Sequence, residues 1–138
     1  MFSNKSSKQK SEALRKILDR KGIISMPGCF DALSAKLIER EGIEVGFMSG
    51  FSVSSTKLGM PDTGLISFSE MLEQVKNISN ATSIPFIFDG DTGGIKEHFQ
   101  FTVRTLERLG VSAVIIENKN DIYEDIEEAI KKAPEEEK

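Results

Sequence analysis

Apolar runs of four to six residues alternate along this chain with stretches whose apolar positions recur at helical spacing. Ser11 is a good N-cap for a helix over Glu12–Lys21, with Leu14, Ile17 and Leu18 on one face and Gly22 as its stop. Ile23–Met26 reads as a first strand closed by Pro27-Gly28, and Asp31 caps a helix over Ala32–Glu41 with Leu33, Leu37 and Ile38 inward. Val45–Met48 reads as the second strand. The connection from Ser49 to Ser67 is long, with a helical turn expected over Ser52–Leu58 and turn chemistry over Gly59–Gly64. Ser67 and Glu70 form a capping box opening a helix to about Ala81. Pro85–Phe88 is the third strand, Glu97–Leu109 a further helix and Ala113–Ile116 the fourth strand. Ile122, Ile126, Ala129 and Ile130 sit at helical spacing in the last segment.

Strands alternating with helices at short spacing imply βαβ units and a parallel sheet, so the expected class is α/β. The strands are continuous apolar runs, as in parallel sheets covered on both faces. In such folds ligands bind at the carboxyl ends of the strands. Ser49-Gly50 ends the second strand, Asp89 and Asp91 follow the third, Glu117 ends the fourth, and Asp62 lies in the long connection on the same side. Oxygen ligands of this kind suit a hard cation such as Mg²⁺, which keeps several waters and takes one or two carboxylates plus substrate. Taken singly, each acid is an ordinary turn or cap former. His98 is read as a helix first-turn residue, and Cys29, with no histidine partner nearby, as structural.

Composition trims the alternatives. The 138 residues are enough for one domain with a real core. No apolar run approaches the roughly 18–20 residues of a membrane span, so no membrane partner is expected. A single cysteine excludes an internal disulfide framework and makes a reducing, cytoplasmic setting the default. The net charge of -4 is uneven: residues 120–138 hold eight acids and three lysines, and the rest is nearly neutral. Neither part carries the basic stripe of a nucleic-acid binder. A receiver-type domain would close its first strand with acids, and a dinucleotide-binding domain would need G-x-G-x-x-G after a strand. This chain has neither feature.

Five motifs occur in order: Pro27-Gly-Cys-Phe-Asp-Ala-Leu-Ser-Ala35, Met48-Ser-Gly-Phe51, Leu58-Gly-Met-Pro-Asp62, Asp89-Gly-Asp-Thr-Gly93 and Val114-Ile-Ile-Glu117. Together they resemble the phosphoenolpyruvate mutase/isocitrate lyase superfamily over about Leu14 to Lys119. The resemblance implies a (β/α)8 TIM barrel, of which about four parallel strands and an N-terminal helix make the N-terminal half. It implies Mg²⁺ and small carboxylate or phosphonate substrates: phosphoenolpyruvate or phosphonopyruvate for a mutase, 2-oxo or 2-hydroxy acids such as methylisocitrate for a C–C lyase. Carried over residue by residue, Asp89 binds Mg²⁺ directly and the substrate through it, with Asp91 and Glu117 binding the metal through water. Ser49, Gly50 and Phe51 hold substrate oxygens, and Asp62 matches the phosphoryl acceptor of the mutases. Asp89–Gly94 followed by Glu97-His98-Phe99 is most similar to the mutase branch.

The chain also departs from the family. It reads Glu117-Asn118-Lys119 where Glu-Asp-Lys is usual, and it carries neither Lys-Lys-Asn-Ser nor Lys-Arg-Cys-Gly-His next. The expected division is therefore a disordered N-terminus over 1–10, a half-barrel over 11–119 and an acidic helical tail over 120–138. The expected behaviour is metal binding with little turnover. The alternative is a non-catalytic half-barrel acting as a homo-oligomer or in association with a larger homologue.

Overall fold

The computed structural model describes residues 5–92 and 98–117. Its elements run α1 (Ser7–Leu18), β1 (Gly28–Cys29), α2 (Ala32–Arg40), β2 (Gly46–Met48), α3 (Gly50–Leu58), α4 (Phe68–Ala81), β3 (Phe86–Asp89), α5 (Phe99–Arg108) and β4 (Ala113–Ile115). The four strands form one sheet in the order β1-β2-β3-β4, each pair parallel. This is the alternation expected of successive β/α units of a barrel. The helical tail expected over 120–138 lies outside the described residues.

The sheet is covered unequally on its two faces, and the alternation of side chains along each strand decides which residue goes where. Cys29, Met48, Phe86 and Phe88 face α2, α4 and α5, meeting Ala35, Ile38, Val75, Ile78 and Leu106. Val45 and Ile87 face the other way and pack on Leu14 and Ile17 of α1, with Ile24, Phe47 and Ala113 beside them. The expected cap at Asp31 and capping box at Ser67/Glu70 are present, and Ser34 completes a second box with Asp31. The Ser67 hydroxyl and amide both bind the Glu70 carboxylate and hold its pKa below the usual range.

Several expectations change at the periphery. The N-terminus expected to be disordered over 1–10 is helical from Ser7, and the cap is Ser6 rather than Ser11. The Ser6 hydroxyl accepts from the Gln9 amide, and the Gln9 side chain accepts from the Ser6 amide. The first strand is Gly28–Cys29, not Ile23–Met26. Only Gly28 and Cys29 reach β2 to pair with Phe47 and Met48, so the apolar run before them has no ladder and Ile23 is fully exposed. Periodicity places Leu33 and Leu37 inward, but they stand exposed because Ala35 and Ile38 occupy the buried line of α2, and Leu18 at the end of α1 is exposed beside buried Leu14 and Ile17. The expected helical turn after β2 is a nine-residue helix, α3.

The extra turn of α1 exists because of Lys10, which is 1% exposed. Its ammonium donates to the Ser79 carbonyl at 3.0 Å, the Thr82 carbonyl at 2.9 Å and Ser79 Oγ at 3.4 Å. These acceptors lie at the C-terminal end of α4, where a cation meets the helix dipole and the carbonyls left without an intrahelical partner. Ser7 donates to the Glu107 carbonyl near the end of α5, and Ser11 to the Ser112 carbonyl before β4. A polar edge of α1 thus fastens it to the ends of α4 and α5, opposite the strand ends that carry the acids.

Lys10→Met leaves buried carbonyls without a donor and should cost about 1–3 kcal/mol of stability by urea denaturation at pH 7. Burial pushes the Lys10 ammonium below its ordinary 10.5. The unfolded chain then holds that proton more tightly. Wild-type stability relative to Lys10→Met should therefore rise as pH climbs toward 10.5, and a flat difference would refute the assignment.

Candidate functional site

The second and third strands end side by side, and their ends are tied together. Ser49 follows β2 as the N-cap of α3, its hydroxyl accepting from the Ser52 amide at 3.5 Å. The next amide, from Gly50, donates to Asp89 Oδ2 at 3.2 Å, and the Asp91 amide donates to Asp89 Oδ1 at 3.2 Å. Each carboxylate oxygen of Asp89 is thus oriented by one backbone N–H and keeps lone-pair capacity for another partner. Asp62 arrives from the long connection. The buried Ser54 hydroxyl on α3 donates to the Pro61 carbonyl at 3.3 Å, which fixes the residue before Asp62. Gly50 stands between the two acids: a Cβ there would lie 3.0 Å from Asp62 Oδ2 and 3.5 Å from Asp89 Oδ2.

On the other side the β3–β4 ladder continues past the strand ends. The Gly90 amide donates to the Ile115 carbonyl at 2.9 Å, and the Glu117 amide to the Asp91 carbonyl at 2.7 Å. Gly90 lies so close to β4 that a Cβ would sit 2.7 Å from Ile116 Cδ1 and 2.8 Å from Val114 Cγ1. Asp91 takes φ 47°, a left-handed backbone that Asp tolerates better than most residues. Asp89, Asp91 and Glu117 therefore occupy neighbouring rungs of one ladder.

Their side chains do not form a closed cage. Among the described residues no three His, Cys, Asp or Glu side chains converge as a ready metal site. One oriented carboxylate with further acids nearby fits an ion that keeps most of its water, as Mg²⁺ does, and does not fit an all-protein Ca²⁺-type shell. The Gly50 N–H orients Asp89. Phe51 follows it in the first turn of α3, its ring 59% exposed.

A cavity of about 410 Å³ opens at these strand ends, lined among others by Gly50, Asp62, Asp89 and Asp91. Ser49, Phe51 and Glu117 lie outside its lining. His98, Thr102 and Leu106 of α5, Met71 of α4 and Val114 of β4 also line it. Sequence reasoning left His98 as a helix-start residue and did not find this wall. The signal was there in the spacing of His98, Thr102 and Leu106, which places them along one side of α5. Cys29 is 1% exposed, and burial pushes its thiol up to about 11, so it is a core residue.

A parallel β/α sheet in sequential strand order is the arrangement of successive units of a β/α barrel. The comparisons with known proteins agree. Residues 14–137 match the phosphoenolpyruvate phosphomutase family. The chloroplastic carboxyvinyl-carboxyphosphonate phosphorylmutase of Arabidopsis thaliana is 38% identical over 106 residues, covering 75% of this chain and 31% of that protein. The isocitrate lyase of Haloferax volcanii is 36% identical over 120 residues, covering 86% of this chain and 35% of that protein. The chain thus spans about a third of the length of these curated relatives. Among solved structures, the phosphoenolpyruvate phosphomutase of Streptomyces platensis subsp. rosaceus superposes with a TM-score of 0.74 at 32% identity, over 79% of this chain and 38% of that one. A phosphonopyruvate hydrolase crystallised with oxalate and Mg²⁺ superposes with a TM-score of 0.73 at 34% identity, over 78% of this chain and 38% of that one. The chain belongs to the phosphoenolpyruvate phosphomutase family, and its sheet and helices correspond to the N-terminal half of the barrel expected from its motifs.

Raising the thiol from its ordinary 9.0 to about 11 cuts the reactive thiolate at pH 8 by roughly a hundredfold. A thiol reagent should therefore modify native Cys29 at least about 100-fold more slowly than the urea-unfolded chain. Equal rates would show that the thiol is accessible.

Proposed function

We propose that this chain carries the metal- and acid-binding half of a Mg²⁺-dependent phosphoenolpyruvate mutase-like enzyme, or of a carbon–carbon lyase acting on 2-oxo or 2-hydroxy acids such as methylisocitrate. The observation behind this reading is the Asp89 carboxylate, aimed by the Gly50 and Asp91 amides at the mouth of a cavity that Asp62 also lines. The relative crystallised with oxalate and Mg²⁺ supports the choice of ion. Asp89 would hold the ion directly, with Asp91 and Glu117 acting through water. Bound there, the ion supplies positive charge against the enolate that such reactions develop.

The chain's own residues do the positioning. Ser49 caps α3 and sets the direction of its first turn, whose N–H groups favour the anionic oxygens of a carboxylate or phosphoryl group. Gly50 orients Asp89 and leaves room between two carboxylates, while Phe51 presents its ring and amide from the same turn. Asp62, steadied through Pro61 by Ser54, is the group that would accept a phosphoryl in the mutase reading. That branch is favoured by the run Asp89–Gly94 and by Glu97-His98-Phe99. A second reading is a non-catalytic half-barrel that works by association with a second copy or a larger homologue. Exposed Ile115 and Ile116 on the outer strand β4, and Ile23 before β1, favour it.

Calorimetric titration of the 138-residue chain with MgCl₂ and oxalate should show weak, Mg²⁺-dependent oxalate binding and little phosphonopyruvate formation. Asp89→Ala should abolish that binding without changing the mass read by light scattering. Gly50→Ala, whose Cβ would sit 3.0 Å from Asp62 Oδ2, should weaken it by about tenfold or more. Oxalate binding that is unaltered in Asp89→Ala refutes the metal assignment, and a dimer or larger species supports the association reading.

A further inference from the structure

The cavity at the strand ends is rich in acceptors and poor in donors. Asp62, Asp89 and Asp91 give its lining three carboxylates, and a bound dication would still leave that lining net negative. Among the described residues neither a lysine nor an arginine lines it. A carboxylate accepts hydrogen bonds and donates none, so an anionic ligand has to find its side-chain donors elsewhere. Among the described lining residues only Thr92, His98 and Thr102 have a side-chain hydrogen to donate. Thr92 follows Asp91 directly and belongs to the strand-end side. His98 and Thr102 belong to α5, four residues apart and so on one side of it.

His98 is the one histidine of the chain. It stands at the N-cap position of α5, yet its side chain makes no capping hydrogen bond. Ser6, Asp31, Ser49 and Ser67 open the other four helices, and each spends its side chain on the first turn. The His98 imidazole is exposed and is not committed to its helix. It carries at least one N–H in either protonation state, so it can donate without a change of pH. We propose that His98, supported by Thr102, is a specificity-determining residue of this site, donating to a second anionic group of the ligand, a phosphonate or a carboxylate, at the end away from the metal. This inference rests on the metal-binding reading above and goes beyond it by assigning the α5 side of the cavity. Without these donors the second anion would face three carboxylates and recover little of its lost hydration. An uncharged methyl group in the same place gains nothing from them.

The test is calorimetric binding to the full chain in excess Mg²⁺, with two pairs of acids matched in carbon skeleton. Phosphonopyruvate is compared with 2-oxobutanoate, and malate with 2-hydroxybutanoate; oxalate reports on the metal end alone. In at least one pair the acid with the second anion should bind about tenfold or more tightly, and the pair that does so tells phosphonate from carboxylate. A hydrogen bond to a charged group is worth about tenfold or more, so His98→Ala should remove that preference and, independently, Thr102→Val should reduce it. His98→Gln, which keeps a side-chain N–H, should restore part of it, and oxalate binding should stay unchanged in all three variants. Circular dichroism melts establish that the variants are folded. No preference in either pair, or one that survives in folded His98→Ala, overturns this proposal alone, as does an equal loss of oxalate binding in that variant. Failure of oxalate to bind the wild-type chain with Mg²⁺ overturns the metal reading and this proposal with it.

Discussion

Two backbone amides, from Gly50 and Asp91, converge on one carboxylate, and much of the site depends on that convergence. A parallel sheet brings the ends of β2 and β3 to the same side and nearly the same height. Asp89 converts this proximity into a bonded link between the turn that starts α3 and the turn that follows β3. Gly50 then has to be small because Asp62 occupies the space a side chain would fill. Gly90 has to be small because the ladder to β4 continues through it. Gly50 is set by an acid and Gly90 by the sheet beside it, so the site and the sheet cannot be varied independently.

The two faces of the sheet divide the labour. The face toward α2, α4 and α5 holds the larger core and contains the cavity whose mouth the acids line. The other is closed at the strand starts by α1 through Leu14 and Ile17. The stabilising contacts of α1 thus gather at one end of the strands and the acids at the other, the separation that β/α barrels generally show.

Much of this was legible from residue order. The strand-ending acids Asp89, Asp91 and Glu117 could be placed because apolar runs of strand length precede them and ligand sites lie at strand ends. The caps at Asp31 and Ser67 could be read because a side chain meets an amide three residues away, a purely local event. Residues whose roles depend on distant partners were not legible. Lys10 looks like a solvated lysine until Ser79 and Thr82 are brought to it. Ile23–Met26 has strand composition, yet a strand is defined by its neighbour, and pairing begins only at Gly28. Leu33 and Leu37 follow the helical period, but the line of α2 that meets α4 runs through Ala35 and Ile38. The place of Asp62 followed from the long connection and its role from motif resemblance, while the residues of α4 and α5 beside it depend on how those helices meet the sheet.

The attachment of α1 also orders events in time. Lys10 bonds to residues 69 and 72 positions later, and Ser7 and Ser11 to residues 100 and 101 positions later. Contacts of such sequence separation close slowly, because the intervening chain has to be arranged first. During synthesis α1 emerges before its partners and therefore waits, with Leu14 and Ile17 uncovered, until β4 has emerged to complete its seat. An element made early is thus among the last to be secured.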